Sequence, residues 1–223
     1  MLNKPEGILF DLDGTFADTA PDLAYALNQT LIDSGLDTLP FDKIRPVVSH
    51  GGKALIKLGF NLPEDSEEFE ERRQHLLQVY LNNLSRETTL FEGIEDVLEH
   101  IERQNIAWGI VTNKPDWLTD PLMLEMGFTH RTKAIVSGNT CARAKPHPDS
   151  ILHACTLLKI DPRNTWYVGD AGRDMQAGRS AGNQTIGATY GYIYGDDPIA
   201  AWDADALINQ PVELIDLIQS ANA

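Results

Sequence analysis

Two aspartates one residue apart, Asp11 and Asp13, follow the apolar run Ile8-Leu9-Phe10 and precede Gly14-Thr15. An unpaired carboxylate at the tip of a buried strand costs several kcal/mol unless an ion or hydrogen bonds compensate it. On this stretch alone, a strand running into an Asp/Gly turn accounts for the pattern equally well. Three further stretches change the balance. "WGIVTNK" ends in Thr112 and Asn113, "ARAKPHP" presents Lys145 in a proline-bracketed loop, and "TWYVGDAGRD" carries Asp170 with Asp174 one helical turn later. Singly these are an ordinary turn, a solvated loop and a helix start. Together, each beyond or between apolar runs, they describe one crevice lined by carboxylates, a hydroxyl, an amide and an ammonium.

That set suits phosphoryl transfer. Asp11 and Asp170, with the Asp13 backbone oxygen, substrate and water, form an all-oxygen site for Mg²⁺, which takes few carboxylates and keeps several waters. Asp11 also serves as nucleophile, because a carboxylate can carry a phosphoryl group as an aspartyl phosphate. Asp13 is placed to protonate the leaving oxygen and then to deprotonate the hydrolytic water. Thr112, Asn113 and neighbouring backbone N–H groups are expected to hold the transferring oxygens, and Lys145 to neutralise their charge.

Elements that could position these groups are legible as a change of period. Short β-rich runs at 7–11, 106–112, 134–136, 165–168, 185–188 and 206–208 alternate with helical patterns such as 94–104, where Ile94, Val97, Leu98 and Ile101 share one face. This alternation predicts a parallel, doubly wound sheet whose strand ends hold the site. The stretch between the first two strands breaks the rhythm and reads as helices with no strand among them. Leu23, Ala24, Leu27 and Leu31 form one apolar face after a Thr19-x-x-Asp22 start with Pro21, and Phe69, Leu76, Leu77, Tyr80 and Leu84 form another after Ser66. The expected fold class is therefore α/β, a doubly wound parallel sheet with an inserted helical domain; its Rossmann-like core and cap character follow from a resemblance in the motifs. Its catalytic core spans 1–15 and 88–223, and the cap spans 16–87.

Charge narrows the partners. The 223 residues include 18 basic and 33 acidic ones, a net charge of −15 that disfavours nucleic acid and anionic membranes. A phosphorylated substrate then needs a local cation and a few placed basic groups. No apolar run approaches the ~20 residues of a membrane span, and "MLNKPEGILFDLDGT" lacks the pattern of a secretory signal. The expected location is cytoplasmic, the expected state monomer or homodimer. Cys141 and Cys155, without a CxxC pair or a histidine cluster, read as free thiols.

The four stretches "DLDGT", "VTNK", "AKPHP" and "GDAGRD" resemble, in order, the motifs of the haloacid dehalogenase-like hydrolase superfamily. The resemblance implies a Rossmann-like core, Mg²⁺ dependence, an aspartyl-phosphate intermediate and a helical cap. By it Asp11 is nucleophile, Asp13 acid/base, Thr112 and Lys145 phosphate ligands, Asp170 a metal ligand and Asp174 a supporting carboxylate. An acid at position 13 favours phosphate chemistry over dehalogenation. The stretches "LFEGIEDVLEHIERQNIAWGIVTNKP", "IRPVVSHGGKAL" and "YGYIYGDDP" resemble both the phosphoglycolate phosphatase branch and the N-acetylmuramic acid 6-phosphate phosphatases. A phosphosugar mutase of the same fold and a non-enzymatic phospho-receiver module are the alternatives. The small phosphorylated substrate is expected to be selected in the cap, by Arg45, His50, Gly51, Gly52 and Lys53. Tyr190, Tyr192 and Tyr194 are candidates for the rim of the crevice, whereas Arg143 and Arg173 read as solvated.

Overall fold

The computed structural model describes residues 2–193 and 195–221; Tyr194 lies outside the described residues. Its strands are β1 (Gly7–Phe10), β2 (Ala17–Asp18), β3 (Thr89–Leu90), β4 (Ala107–Val111), β5 (Ile135–Val136), β6 (Thr165–Gly169), β7 (Gln184–Ala188) and β8 (Ala206–Ile208). Its helices are α1 (Ala20–Asp33), α2 (Phe41–Ile44), α3 (Gly51–Phe60), α4 (Glu67–Leu81), α5 (Ile94–Arg103), α6 (Asp116–Glu125), α7 (Asp149–Leu158), α8 (Gly172–Ala181) and α9 (Glu213–Ser220). Six strands form one sheet in the order β5-β4-β1-β6-β7-β8, and each neighbouring pair is parallel.

All four residues of β1 are buried, as expected for a parallel strand covered on both faces. On one face Leu9, Val111 and Tyr167 pack against Ile151, Ala154 and Cys155 of α7 and Ala177 and Ala181 of α8. Phe10 points the other way into an aromatic group with Phe16, which meets Trp108 and Phe128 at ring distances of 5.9 and 5.1 Å. Register then decides where the chemistry goes. Phe10 is level with Ile110 and with Val168, so the residues just beyond β1, β4 and β6 leave the sheet at one edge. Those residues include Asp11, Thr112 and Asp170.

The chain divides into two compact units, 1–17 with 90–223, and 18–89. The sheet belongs to the first. The second is helical, with α1 packed on α4 and α3. Ser66 Oγ caps α4 by accepting from the Phe69 N–H at 3.2 Å, and three glutamates in the first turn complement its dipole.

Two expectations need correction. The stretch before β4 does contain strands: β2 and β3 pair as a small sheet, each only two residues long and so too short to show a period. The Thr19-x-x-Asp22 start is not a capping box, since Thr19 makes no side-chain cap to α1. Asp22 instead accepts from the backbone N–H groups of Glu87 and Thr88 and from the Thr88 hydroxyl, at 2.8–3.1 Å. A buried carboxylate found several donors at the far end of the helical unit, a partner that local spacing could not reveal.

Candidate active site

Asp11 is the first residue past β1 and is almost fully buried. Its Oδ1 accepts from the Leu12 N–H at 2.8 Å and lies 2.8 Å from Lys145 Nζ. Burial pushes its carboxyl up to about 6 against the opposing pull of Lys145, and Asp174 adds to the rise. Asp170 follows β6, where Tyr192 N–H donates to its Oδ2 at 2.8 Å. Burial and then the neighbouring Asp11 and Asp174 push its carboxyl up to about 8. Asp174, in the first turn of α8, is fully buried.

Oxygens of Asp11, Asp170 and Asp174 lie within 4.8 Å of one another. Three buried acids at this spacing repel, and the raised Asp11 and Asp170 carboxyls report that repulsion together with desolvation. Asp174 Oδ2 has no hydrogen-bond partner among the described residues. A hard divalent cation answers both features, so the residues fit Mg²⁺. Asp174, expected only as a supporting carboxylate, stands among the candidate ligands.

Lys145 is held by four oxygens. Its ammonium lies 2.8 Å from Asp11 Oδ1 and 2.8 Å from Asp174 Oδ1, and it donates to Tyr167 Oη at 2.8 Å and to the Val111 carbonyl at 3.0 Å. Asn113 stands behind it. The Asn113 amide donates to the Lys145 carbonyl at 2.9 Å and accepts the Lys145 N–H at 3.0 Å, so its side chain fixes the lysine loop. Thr112 Oγ1 accepts the Lys114 N–H at 3.1 Å, which leaves its O–H proton to donate elsewhere.

Asp13 has a different neighbour. Its Oδ1 lies 2.8 Å from Lys114 Nζ, with side-chain exposures of 15% and 6%. Its carboxylate is not among the three clustered acids.

Sequence reasoning assigned no role to Lys114, although it closes the quoted "VTNK", nor to Tyr167, which sits inside an apolar strand. Tyr167 Oη also donates to the Val111 carbonyl at 2.9 Å, and burial holds its hydroxyl protonated far above neutral pH. Arg173 is not the solvated residue expected: its positive charge acts on Asp11 and Asp170, opposing the rise of both. Arg143 is exposed as expected, paired with Asp149 at 2.8 Å. Tyr192 is buried, against the rim position expected for it, whereas Tyr190 is only half-buried.

The remaining candidates belong to the helical unit. Arg45 opens a 3₁₀ turn that ends at His50. Gly51 starts α3 with φ +74°, and a Cβ on Gly52 would press Leu77 of α4 at 3.3 Å. Lys53 is exposed, and its charge helps hold the Glu70 carboxyl below the usual range behind the hydrogen bonds from Arg73 and Gln74.

The sequence profile of haloacid dehalogenase-like hydrolases matches residues 8–188. The chain is 38% identical to an N-acetylmuramic acid 6-phosphate phosphatase of Pseudomonas aeruginosa, over 97% of this chain and 96% of that protein. It is 37% identical to a phosphoglycolate phosphatase of Xanthomonas campestris pv. campestris, over 94% and 95%. Among solved structures, a predicted phosphoglycolate phosphatase from Haemophilus somnus superposes with a TM-score of 0.84 at 27% identity, covering 97% of this chain and 99% of that one. The ordered motifs, the parallel sheet that gathers them and the match across most of the chain lead to one conclusion: the protein belongs to the haloacid dehalogenase-like hydrolases, among their phosphatases.

Proposed function

We propose that the protein hydrolyses a small phosphate monoester through an aspartyl phosphate on Asp11, with phosphoglycolate as the first substrate reading. The observation that carries this is the pairing of buried Asp11 with Lys145 at 2.8 Å beside Asp170 and Asp174. In the first step the Asp11 carboxylate bonds to phosphorus while the ester P–O bond breaks, and Asp13 gives its proton to the leaving oxygen. In the second, Asp13 takes a proton from water as that water bonds to phosphorus, and the bond to Asp11 breaks to release phosphate. Lys145 and Thr112 supply positive charge and a donor to the phosphoryl oxygens. Asp11, Asp170, Asp174 and the Asp13 backbone oxygen would hold Mg²⁺, which when bound neutralises and orients those oxygens.

The helical unit 18–89 is the proposed cap, and within it Arg45, His50, Gly51, Gly52 and Lys53 are proposed to select the leaving group. Arg45 suits a substrate carboxylate through bidentate pairing. That chemistry serves phosphoglycolate and the lactyl group of a muramic acid alike. The second reading, an N-acetylmuramic acid 6-phosphate phosphatase, is supported by the relatives so named in Pseudomonas aeruginosa and Pseudomonas putida, 38% and 36% identical. A mutase remains a proposal that product analysis separates, since it would return the phosphoryl group to a sugar. Membership of the hydrolases displaces the receiver-module reading. Among the described residues no helix is long and apolar enough to cross a membrane, in keeping with a proposed cytoplasmic monomer or homodimer acting on a free metabolite.

Initial-rate kinetics with Mg²⁺ on 2-phosphoglycolate, N-acetylmuramic acid 6-phosphate and p-nitrophenyl phosphate test the reading. A kcat/KM for 2-phosphoglycolate well above the other two supports it. Preference for the muramic acid ester moves the assignment to the second reading, and absence of phosphate release from all three refutes both.

A further inference from the structure

The segment that follows β7 is tied to the acid cluster at several points. Tyr192 N–H donates to Asp170 Oδ2 at 2.8 Å in a buried setting. Gly191, one residue earlier, lies so close that a Cβ there would overlap the Asp170 carboxylate and the Gly14 carbonyl, and a Cβ on Gly14 would overlap Asp170 from its own side. Tyr190 Oη donates to the Thr15 carbonyl at 3.0 Å. The same segment thus grips Asp170 and the backbone next to Gly14. Its rings are held in turn: Phe91, whose N–H donates to the Phe16 carbonyl, lies 5.0 Å from the Tyr190 ring and 6.2 Å from the Tyr192 ring. Further along, Asp197 accepts the Gly172 N–H at 2.7 Å, at the start of the helix that carries Asp174, and the Trp202 indole N–H at 2.8 Å.

We infer that Tyr190-Gly191-Tyr192 is a positioning element for the metal carboxylate Asp170, which it holds together with the adjoining turn at Gly14. None of the three touches the reacting atoms in this role; they act through Asp170 and through the Thr15 backbone. Asp170 lies within 4.8 Å of two other carboxylates that repel it, and a fixed rotamer keeps the ligand set ready for the cation. Partners behind metal ligands are worth typically 10–100-fold in metal affinity when removed. The inference rests on Asp170 being a metal ligand, as proposed above.

The test is Mg²⁺ binding to the substrate-free protein, read by titration calorimetry and by the Mg²⁺-dependent rise in melting temperature, with far-UV circular dichroism to confirm folding. Gly191 does not have a positive φ, and the methyl of Gly191→Ala presses on Asp170 and on the Gly14 carbonyl, so a roughly 10–100-fold loss of Mg²⁺ affinity is expected. Tyr190→Phe removes one hydroxyl and keeps the ring, with about a tenfold loss expected. Gly195→Ala, where a Cβ meets nothing within 4 Å, should bind as wild type; a loss there equal to that of Gly191→Ala overturns the inference. So does a folded Gly191→Ala protein with wild-type affinity. If that variant does not fold, Tyr190→Phe decides alone, and an affinity within about twofold of wild type overturns the inference. Failure of the wild-type protein to bind Mg²⁺ overturns the metal reading itself, a separate result.

Discussion

Lys114 Nζ lies 2.8 Å from Asp13 Oδ1, and the pair is mostly sheltered from solvent. The general acid of the proposed reaction is therefore held in one orientation by a residue three positions past β4. A misplacement of about 1 Å can lower a rate by up to ~10²-fold. Lys114→Met, which keeps the length and removes the charge, should lower kcat by about that factor on an alkyl phosphate. It should also lose less on p-nitrophenyl phosphate, whose leaving group departs unprotonated. Asp13→Asn should show the same substrate dependence with a larger loss of roughly 10²–10⁴-fold. Equal losses on both substrates, with the first step shown to limit, would separate Asp13 from leaving-group protonation.

Asp11→Asn and metal removal should each abolish measurable turnover, because unassisted phosphate-monoester hydrolysis is among the slowest known and can require up to ~10²¹-fold acceleration. Rapid quenching of wild type with labelled substrate should trap an acid-stable, hydroxylamine-sensitive phosphoryl group that Asp11→Asn lacks. Activity persisting in EDTA would refute the metal-dependent mechanism.

Asp170 connects the site to stability. Its folded-state carboxyl is raised from 3.8 to about 8, so the folded form binds the proton more tightly than the unfolded chain. The resulting stabilisation is complete below about pH 4 and is lost as pH rises through about 8. In EDTA, Asp170→Asn should match wild type in melting temperature at the acid end and exceed it increasingly toward pH 9. A difference independent of pH would show that Asp170 ionises normally.

Substrate choice is proposed to lie in the helical unit. Asp11, Lys145 and Asp170 can recognise only the phosphoryl group that every substrate shares. Arg45→Ala and His50→Ala should therefore change kcat/KM for 2-phosphoglycolate and for N-acetylmuramic acid 6-phosphate far more than for p-nitrophenyl phosphate. Contacts made only when a cap closes should appear in kcat as well as KM. Constant ratios across the three substrates would place specificity elsewhere.

The sequence alone determined the sheet, because β1, β4 and β6 are buried on both faces and so read as unbroken apolar runs, and it determined that Asp11, Thr112 and Asp170 share one edge, because the parallel strands end there. The helical insertion was legible from the 3.6-residue period of α1 and α4. Strands of two residues, β2 and β3, carry no period and were invisible. Tertiary structure alone decided which charges meet. Lys145 sits between Asp11 and Asp174, Lys114 turns to Asp13, Asn113 holds the lysine loop, and Tyr192, 22 residues past Asp170, donates the N–H that holds it. The physical reason is range: periodicity and burial are properties of a single segment, whereas an ion pair or hydrogen bond between segments depends on register, loop path and rotamer, which are settled only when the segments pack.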